Sequence, residues 1–571
     1  MALDGPFVDW DRMPDLEQQA NIPRDILTKP KKELKKLARE GYWATSRALR
    51  ARVYHQLIQQ VTCRLVTPDA LVYTDVANRL FGKQSVSSHP LPDFLEGCSM
   101  PTYCLTVEGV TALKKILICI DNLFPDITYS PILPSLVALL LHYSEEEAQC
   151  FENISRLIAS NAPHTSYIDQ SFLAHQASCM TFGDLANKHC PAAHRLIAST
   201  SENVFEVYSE WLSWLFHDLP FNYVIRIFDV YLLEGQKVLY RIALALLKQY
   251  RLSVTSTELE GIDIKTDLQA FVQNIGEHVT VDKLLERAFG IRLFSRKEIW
   301  LLQMANRKAL MERGMTMVQS RHPPSCRQSF HLAVDMQNFS SSIVTAQEMR
   351  IIWSWIPERF SLFPPLLLFS TSEDGCSLQR FYSCCEGYEP TVLLIKTTEQ
   401  EVCGAFLSSD WSERRKSGAT SGFFGTGECF VRPEMERYEW VFIKKPELAK
   451  AVPRSRQRSP SPSPTSLLSS SPDGRRASSN LLTVPTPQRT KGRLSPFLAI
   501  RHFLLPSKTA SMFMSGSQEG IIIGGGGGRA LTLDAELLWG HTESCETFDN
   551  PPLCQENFKV QLLEAWGFQN T

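Results

Sequence analysis

The sequence predicts a multidomain protein: an all-helical N-terminal half followed by a C-terminal half built on short strands. Three observations carry that expectation. The stretch Trp211–Leu247, WLSWLFHDLPFNYVIRIFDVYLLEGQKVLYRIALALL, is dense in aromatic and branched apolar residues, but Pro220, Gly235 and the acidic Asp218, Asp229 and Glu234 break it into short helical runs. None of these reaches the ~18–20 unbroken apolar residues of a membrane span, so they read as buried helices. Beyond Pro323-Pro324 the texture changes to short runs such as Leu366–Ser370, Thr391–Ile395 and Val402–Leu407, separated by polar turns. Residues 447–495 interrupt that second half with a Ser/Pro/Arg-rich composition that cannot bury a core and is expected to be disordered.

Residues 1–30 read as loosely structured, with Pro6, Pro14, Pro23 and Pro30 spaced through them. A helix opens at Lys31 in KKELKKLAREGYW, where Leu34 and Leu37 mark the apolar side and Gly41 closes it. Lys35 and Arg39 stand four apart on one face of it. Further helices are expected over about Val204–Phe216, Phe221–Leu233 and Lys237–Tyr250, with Gly235 supplying the positive φ of a tight exit. In the last of them Lys237 and Arg241 again stand four apart, among Val238, Leu239, Ile242 and Ala243. Spacing alone leaves two readings open for both pairs: stems that snorkel to water, or a cationic site. Residues 263–325 read as a helical connector, in which Val281–Phe289 is amphipathic and Ser295-x-x-Glu298 has capping-box spacing.

The 571 residues suffice for two or more cores. A formal net charge of −2, with 21% of residues charged, gives no global basicity for nucleic acid. Fifteen cysteines without CxxC pairs fit a reducing compartment, where they act as small apolar fillers. His175, His189 and His194 lack ligand spacing, so neither a metal site nor a cofactor is expected. The N-terminus has no apolar h-region, and Ala2 stands where myristoylation needs glycine. Membrane contact is therefore expected to be peripheral.

Trp211-x-x-Trp214-Leu215-Phe216-x-x-Leu219-Pro220, Arg226-Ile227-Phe228-Asp229-Val230-Tyr231 and Val238–Leu247 resemble the C-terminal half of a TBC domain, the all-helical fold of the Rab GTPase-activating proteins. Leu49–Leu57, Glu145–Phe151, Phe182–Leu185 and Pro191–Arg195 continue the resemblance, which places an all-α TBC domain at 31–262. It implies catalysis by two inserted residues. An arginine from an I-x-x-D-x-x-R helix neutralises charge on the transferring phosphoryl group, and a glutamine from a Y-x-Q-G turn positions water. Such an arginine is worth about 10³–10⁵ in rate. Here Val72–Asn78 puts Asn78 at the arginine position, and Arg79 beside it points about 100° away round the helix. Tyr129-Ser130-Pro131 puts Pro131 at the glutamine position. With both fingers replaced, a pseudo-GAP rather than an enzyme is expected; the alternative is catalysis by a non-standard arginine such as Arg79.

Leu378–Tyr382, Gly404–Phe406, Phe423–Gly427, Ala530–Asp534, Cys545–Phe548 and Glu564–Gly567 resemble a TLDc domain. That implies an α+β fold, a β-sandwich core with helices, over 326–571. The glycine run 524–528 lacks the Lys-Ser/Thr of a phosphate loop and is followed by an alternating strand, so it reads as a flexible turn.

A TBC domain followed by a TLDc domain is similar to the Skywalker-type vesicle-trafficking proteins. The resemblance implies phosphoinositide head-group binding through Lys35, Arg39, Lys237 and Arg241, and engagement of a Rab- or Arf-type small GTPase. It implies a cytoplasmic, peripheral location on the plasma membrane and cytoplasmic vesicles, including the presynapse. Lipid binding is expected to vary little with pH near neutrality, since none of the four is histidine, and to weaken with salt. Arg39→Cys or Arg241→Cys is expected to abolish it with the fold intact. A further alternative places the function in the TLDc half, in oxidative-stress protection and association with a V-type ATPase.

Overall fold

The computed structural model describes residues 6–12, 28–44, 46–63, 66–95, 98, 100–101, 103–201, 203–254, 263–315, 334, 336, 339–415, 422–433, 437–439 and 512–568. Insertion 447–495 and Pro323-Pro324 lie outside the described residues.

The N-terminal half is a stack of helices running from Lys31–Arg39 to Arg296–Glu312 around one apolar core. Their starts are set locally. Ser46, Asp69, Thr106, Ser171, Thr280 and Ser295 each accept a hydrogen bond from a first-turn backbone N–H that the helix itself leaves open. Trp211 lies at the centre, stacked on Tyr240 with ring centroids 4.5 Å apart and on Phe182. The helix expected over Val204–Phe216 is broken. Val204–Ser209 gives way to a turn at Trp211–Ser213 and a π-helical turn at Trp214–Asp218. One α-helical face cannot cover three successive bulky residues, and the wider turn lets Trp214, Leu215 and Phe216 all be buried.

A wholly buried ion pair joins two of these helices. Arg50 of Arg47–Gln59 donates Nε to Asp229 Oδ1 and Nη2 to Oδ2, both at 2.9 Å, and the Tyr54 hydroxyl adds a bond of 2.7 Å to Oδ1. Both charged side chains are 0% exposed.

Part of the N-terminal 30 residues is firmly docked, unlike the loose segment expected. Phe7 and Val8 are buried, Val8 bridges to Leu105, and Thr106 N–H donates to the Phe7 carbonyl. Two adjacent apolar side chains suffice to hold it over the start of the Val107–Leu123 helix. The helices of 263–312 are no spacer either. Ile264, Leu268, Phe271, Leu284, Leu285 and Ile299 belong to the same core as the Trp-rich stretch.

Among the described residues the C-terminal half holds ten strands: β1 (Pro365–Ser370), β2 (Thr391–Thr397), β3 (Val402–Leu407), β4 (Phe430–Pro433), β5 (Tyr438–Glu439), β6 (Met514–Gly516), β7 (Gly520–Ile523), β8 (Leu531–Asp534), β9 (Trp539–His541) and β10 (Asn557–Phe568). They follow the antiparallel order β5-β4-β3-β2-β10-β9-β8-β7-β6, with β1 also paired to β10. The twelve-residue β10 belongs to both layers. Its first three residues pair with β9, and from Val560 onward it pairs with β2, with a register shift between Val560 and Leu562. Leu393, Ile395, Ala405 and Leu407 of one layer meet Ile521, Ile523, Leu531 and Leu533 of the other in the sandwich interior. The glycine run between β7 and β8 is pinned rather than loose: Glu546 N–H donates to the Gly526 carbonyl and Thr547 Oγ1 to that of Gly525.

The alternate side chains of the same strands, Val392, Leu394, Phe406, Trp566 and Phe568, face outward. They form a shared core with Leu173, Ala177 and Met180 of the helical half. Across this seam the Glu358 N–H donates to Asp184 Oδ1 at 2.8 Å, and Asn306 Nδ2 donates to Oδ2 at 2.9 Å. Burial pushes the Glu358 carboxyl up to about 8, with the Asp184 charge adding to it, and raises Asp184 to about 6 against the pull of Arg359. The folded chain thus holds a proton that the unfolded chain releases, so stability falls as pH rises from about 4.5 through about 8. In thermal melts, Glu358→Gln is expected to flatten that fall, leaving wild type lower than the variant by about 3 °C or more at pH ~8.5. Parallel pH profiles would refute it.

Candidate functional site

The turn at Gly235 brings the two expected cation pairs to one place. Gly235 has φ +67°, and a Cβ there would meet the Ser166 carbonyl oxygen at 2.6 Å, so only glycine fits the reversal between Phe221–Glu234 and Gln236–Ser253. Lys237 and Arg241 therefore leave the start of one helix beside Glu234 at the end of the other. The Lys31–Arg39 helix packs on Phe221–Glu234 and delivers Lys35 and Arg39 to the same spot.

Glu234 is the hub. Its side chain is 5% exposed and ion-paired with Arg39, and Lys35, Lys237 and Arg241 all feel its charge. Burial works to raise its carboxyl, but the Arg39 hydrogen bond and the surrounding cations overcome burial and hold it below the ordinary range. Two aromatic rings form the wall. The Arg39 guanidinium lies 3.8 Å from the Phe289 centroid and that of Arg241 4.7 Å from Phe294, with Lys237 Nζ 5.9 Å from Phe294.

Arg296 completes the group, and the sequence reading missed it. It donates to Thr165 Oγ1 at 3.1 Å and to the Glu234 carbonyl at 3.2 Å, and its charge acts on Lys35 and Lys237. A signal was available. Arg296 and Lys237 both occupy first helical turns, where the backbone dipole disfavours a cation. Four cations thus act on the Glu234 carboxylate and a fifth, Arg296, binds its backbone carbonyl; Glu234, Lys237 and Arg296 also line an adjoining cleft of about 1060 Å³.

Two expectations are corrected here. Burial, with neighbouring Arg241, pushes Lys237 down to about 8, so the site does titrate just above neutrality. Arg241 also has a structural duty. It is 9% exposed, and its Nη1 donates to the carbonyls of Ala288 and Ile291, both at 2.9 Å, closing the end of Val281–Phe289. Loss of Arg241 therefore disturbs the fold as well as the charge. Lys35 and Lys237, in contrast, form no ion pair among the described residues.

The finger positions lie elsewhere. Asn78 is exposed on the Ala70–Phe81 helix, and Arg79 Nη2 donates to Asn122 Oδ1 at 2.6 Å. Pro131 is half-buried in the turn before Leu133–Leu141. Glu147, in the acidic segment, accepts bonds of 2.7 Å from the Tyr73 hydroxyl and Lys115 Nζ, which ties it into the scaffold. Among the described residues no group of three or more His, Cys, Asp or Glu could hold a metal ion, and no helix is long and apolar enough to cross a membrane.

Residues 99–254 match the Rab-GTPase-TBC domain family, and 337–448 with 495–569 match the TLDc domain family, leaving out most of the Ser/Pro/Arg-rich insertion. The GTPase-activating protein skywalker of Drosophila melanogaster is 28% identical over 593 residues, covering 97% of this chain and 90% of its own. A crystal structure of the TBC domain of Skywalker from that fly in complex with inositol(1,4,5)triphosphate is 28% identical, with a TM-score of 0.43, over 48% of this chain and 96% of its own. TBC1 domain family member 24 of Xenopus laevis is 54% identical over 569 residues, covering 99% of this chain and 97% of that protein. With that identity along its whole length, and a TBC domain joined to a TLDc domain, the chain belongs to the TBC1 domain family member 24 family.

Proposed function

We propose that this protein is a peripheral-membrane regulator of vesicle trafficking. It binds phosphoinositide head groups in the cup of Lys35, Arg39, Lys237, Arg241 and Arg296. Through its TBC domain it engages a Rab- or Arf-type small GTPase without supplying either catalytic finger. It works in the cytoplasm, on the plasma membrane and cytoplasmic vesicles, the presynaptic ones included.

The convergence of five cations on one residue, four on the buried Glu234 carboxylate and Arg296 on its carbonyl, carries this reading. Crowding like charges in a partly dry site costs free energy, as the depressed Lys237 shows, and a multivalent anion offsets that cost. Phosphate oxygens suit the donors, since guanidinium groups bind them bidentately and lysines as point charges. The adjoining cleft leaves room for the sugar ring. Arg79, the candidate substitute finger, is already engaged by Asn122. Nor does the TLDc half stand apart as an independent unit, because its outer sheet face shares a core with the helical half.

The test is flotation of the full chain on phosphatidylcholine vesicles with and without a phosphatidylinositol bisphosphate. Co-flotation is expected with the phosphoinositide alone, and is expected to fade as salt rises above about 0.15 M. Equal behaviour on both vesicles would remove the lipid half of the proposal. Single-turnover GTP hydrolysis with Rab and Arf proteins is expected to show no acceleration; an acceleration lost in Arg79→Ala would replace pseudo-GAP with enzyme.

A further inference from the structure

Cys403 and Cys554 lie 151 positions apart in the chain, yet their sulfurs are 3.9 Å apart. Cys403 is fully buried in β3, paired with Ile395 of β2 and Pro433 of β4. Cys554 is half-buried in the loop between β9 and β10 and packs against the same sandwich interior.

The contact is built rather than incidental, because bonds on both sides of Cys554 hold its loop in place. Leu553 N–H donates to Thr542 Oγ1 at 2.9 Å, and Gln555 N–H donates to Glu401 Oε2, two residues from Cys403, at 3.1 Å. Cys554 Sγ also lies 3.7 Å from the Gln555 carbonyl, while Cys545 bonds to Asn550 Oδ1 and Cys429 pairs with Ser408 Oγ.

We propose that Cys403 and Cys554 are a reversible dithiol–disulfide site, oxidised by a hydroperoxide, whose closure ties β3 to the entry of β10. The accessible Cys554 sulfur attacks first. The O–O bond breaks as an S–O bond forms, and the thiol proton leaves with the first water when the oxidant is hydrogen peroxide. The Cys403 sulfur then displaces that oxygen: an S–S bond forms, the S–O bond breaks, and the Cys403 proton leaves with the second water. The thiols give up two electrons and one peroxide becomes two waters. The touching Cys554 thiol, together with burial, holds the Cys403 thiol well above its ordinary range, which leaves the first attack to Cys554. Bringing the sulfurs to about 2.05 Å calls for rotation of the Cys554 side chain and a small shift of its loop.

The experiment treats reduced full-length protein with stoichiometric hydrogen peroxide, blocks the remaining thiols, and maps the peptides by mass spectrometry without reduction. A linked pair of peptides containing Cys403 and Cys554 is expected, reversed by dithiothreitol. The unfolding midpoint of the TLDc half is expected to rise by on the order of 5 °C, since the bond closes a long loop. Cys554→Ser should leave Cys403 reduced at the same dose. Cys403→Ala should leave Cys554 as a sulfenic acid that dimedone captures, which keeps the test open if the buried serine variant misfolds. If the exposed Cys376 is oxidised while Cys403 and Cys554 both remain free, or if Cys554 links to another cysteine, the proposal is overturned.

Discussion

Asp229→Ala is expected to destabilise the helical domain by about 3–5 kcal/mol, lowering its thermal midpoint by roughly 10 °C. The cost lies less in the bonds removed than in what stays behind. Arg50 is 0% exposed, and without Asp229 its guanidinium keeps only the 3.3 Å contact to the Tyr143 hydroxyl while remaining charged. Tyr54 loses its acceptor in the same step. The double replacement Arg50→Met with Asp229→Leu removes the stranded charge and is therefore expected to recover part of the loss. Denaturant melts of wild type, both single variants and the double decide it. A double variant no more stable than Asp229→Ala would show that the helices depend on the pair's geometry rather than on charge compensation.

Lys237→Gln is expected to weaken binding to phosphoinositide vesicles by about tenfold to a hundredfold while leaving the melting curve unchanged. Among the described residues Lys237 forms no ion pair, and Glu234 keeps its pair with Arg39 when Lys237 is removed, so a charged hydrogen bond to phosphate is what disappears. Lys35→Gln should act the same way, since burial likewise depresses its pKa and among the described residues it too forms no ion pair. Arg241→Cys should differ from both. It loses binding, but it also frees the carbonyls of Ala288 and Ile291 and should cost about 1–3 kcal/mol of stability.

The pH profile separates Lys237 from its neighbours. An anion favours its protonated form, so wild-type affinity should be full below about pH 7 and fall as pH rises through about 8. Lys237→Arg, which stays charged, should bind without that fall. Wild-type flotation by Lys237→Gln below about pH 7, where wild-type Lys237 is charged, would mean that the cup does not contact lipid.

The two halves, their order and most of the elements were legible because each rests on local rules. The cap at Ser295 and the exits at Gly41 and Gly235 follow from backbone needs within a few residues. Strands β1, β2 and β3 followed from short apolar runs between turns. That Asn78 and Pro131 stand at the positions the TBC resemblance assigns to the two fingers is a matter of spelling and needed no folding to be read. The π-helical turn at Trp214–Asp218 was not legible, because it depends on how much bulk the surrounding core must accept. The docking of Phe7 and Val8 escaped notice for the same reason.

The chain's letters settled that lysines and arginines recur four apart on two separate helices, and that Asn78 and Pro131 stand where the TBC resemblance expects arginine and glutamine. Folding settled that these cations meet around Glu234, that Arg296 joins them, and that Arg241 is half structural support. The reason is distance along the chain. Arg39 and Glu234 are 195 positions apart and Arg50 and Asp229 are 179 apart, and periodicity reports only which face a residue occupies, never what that face will meet.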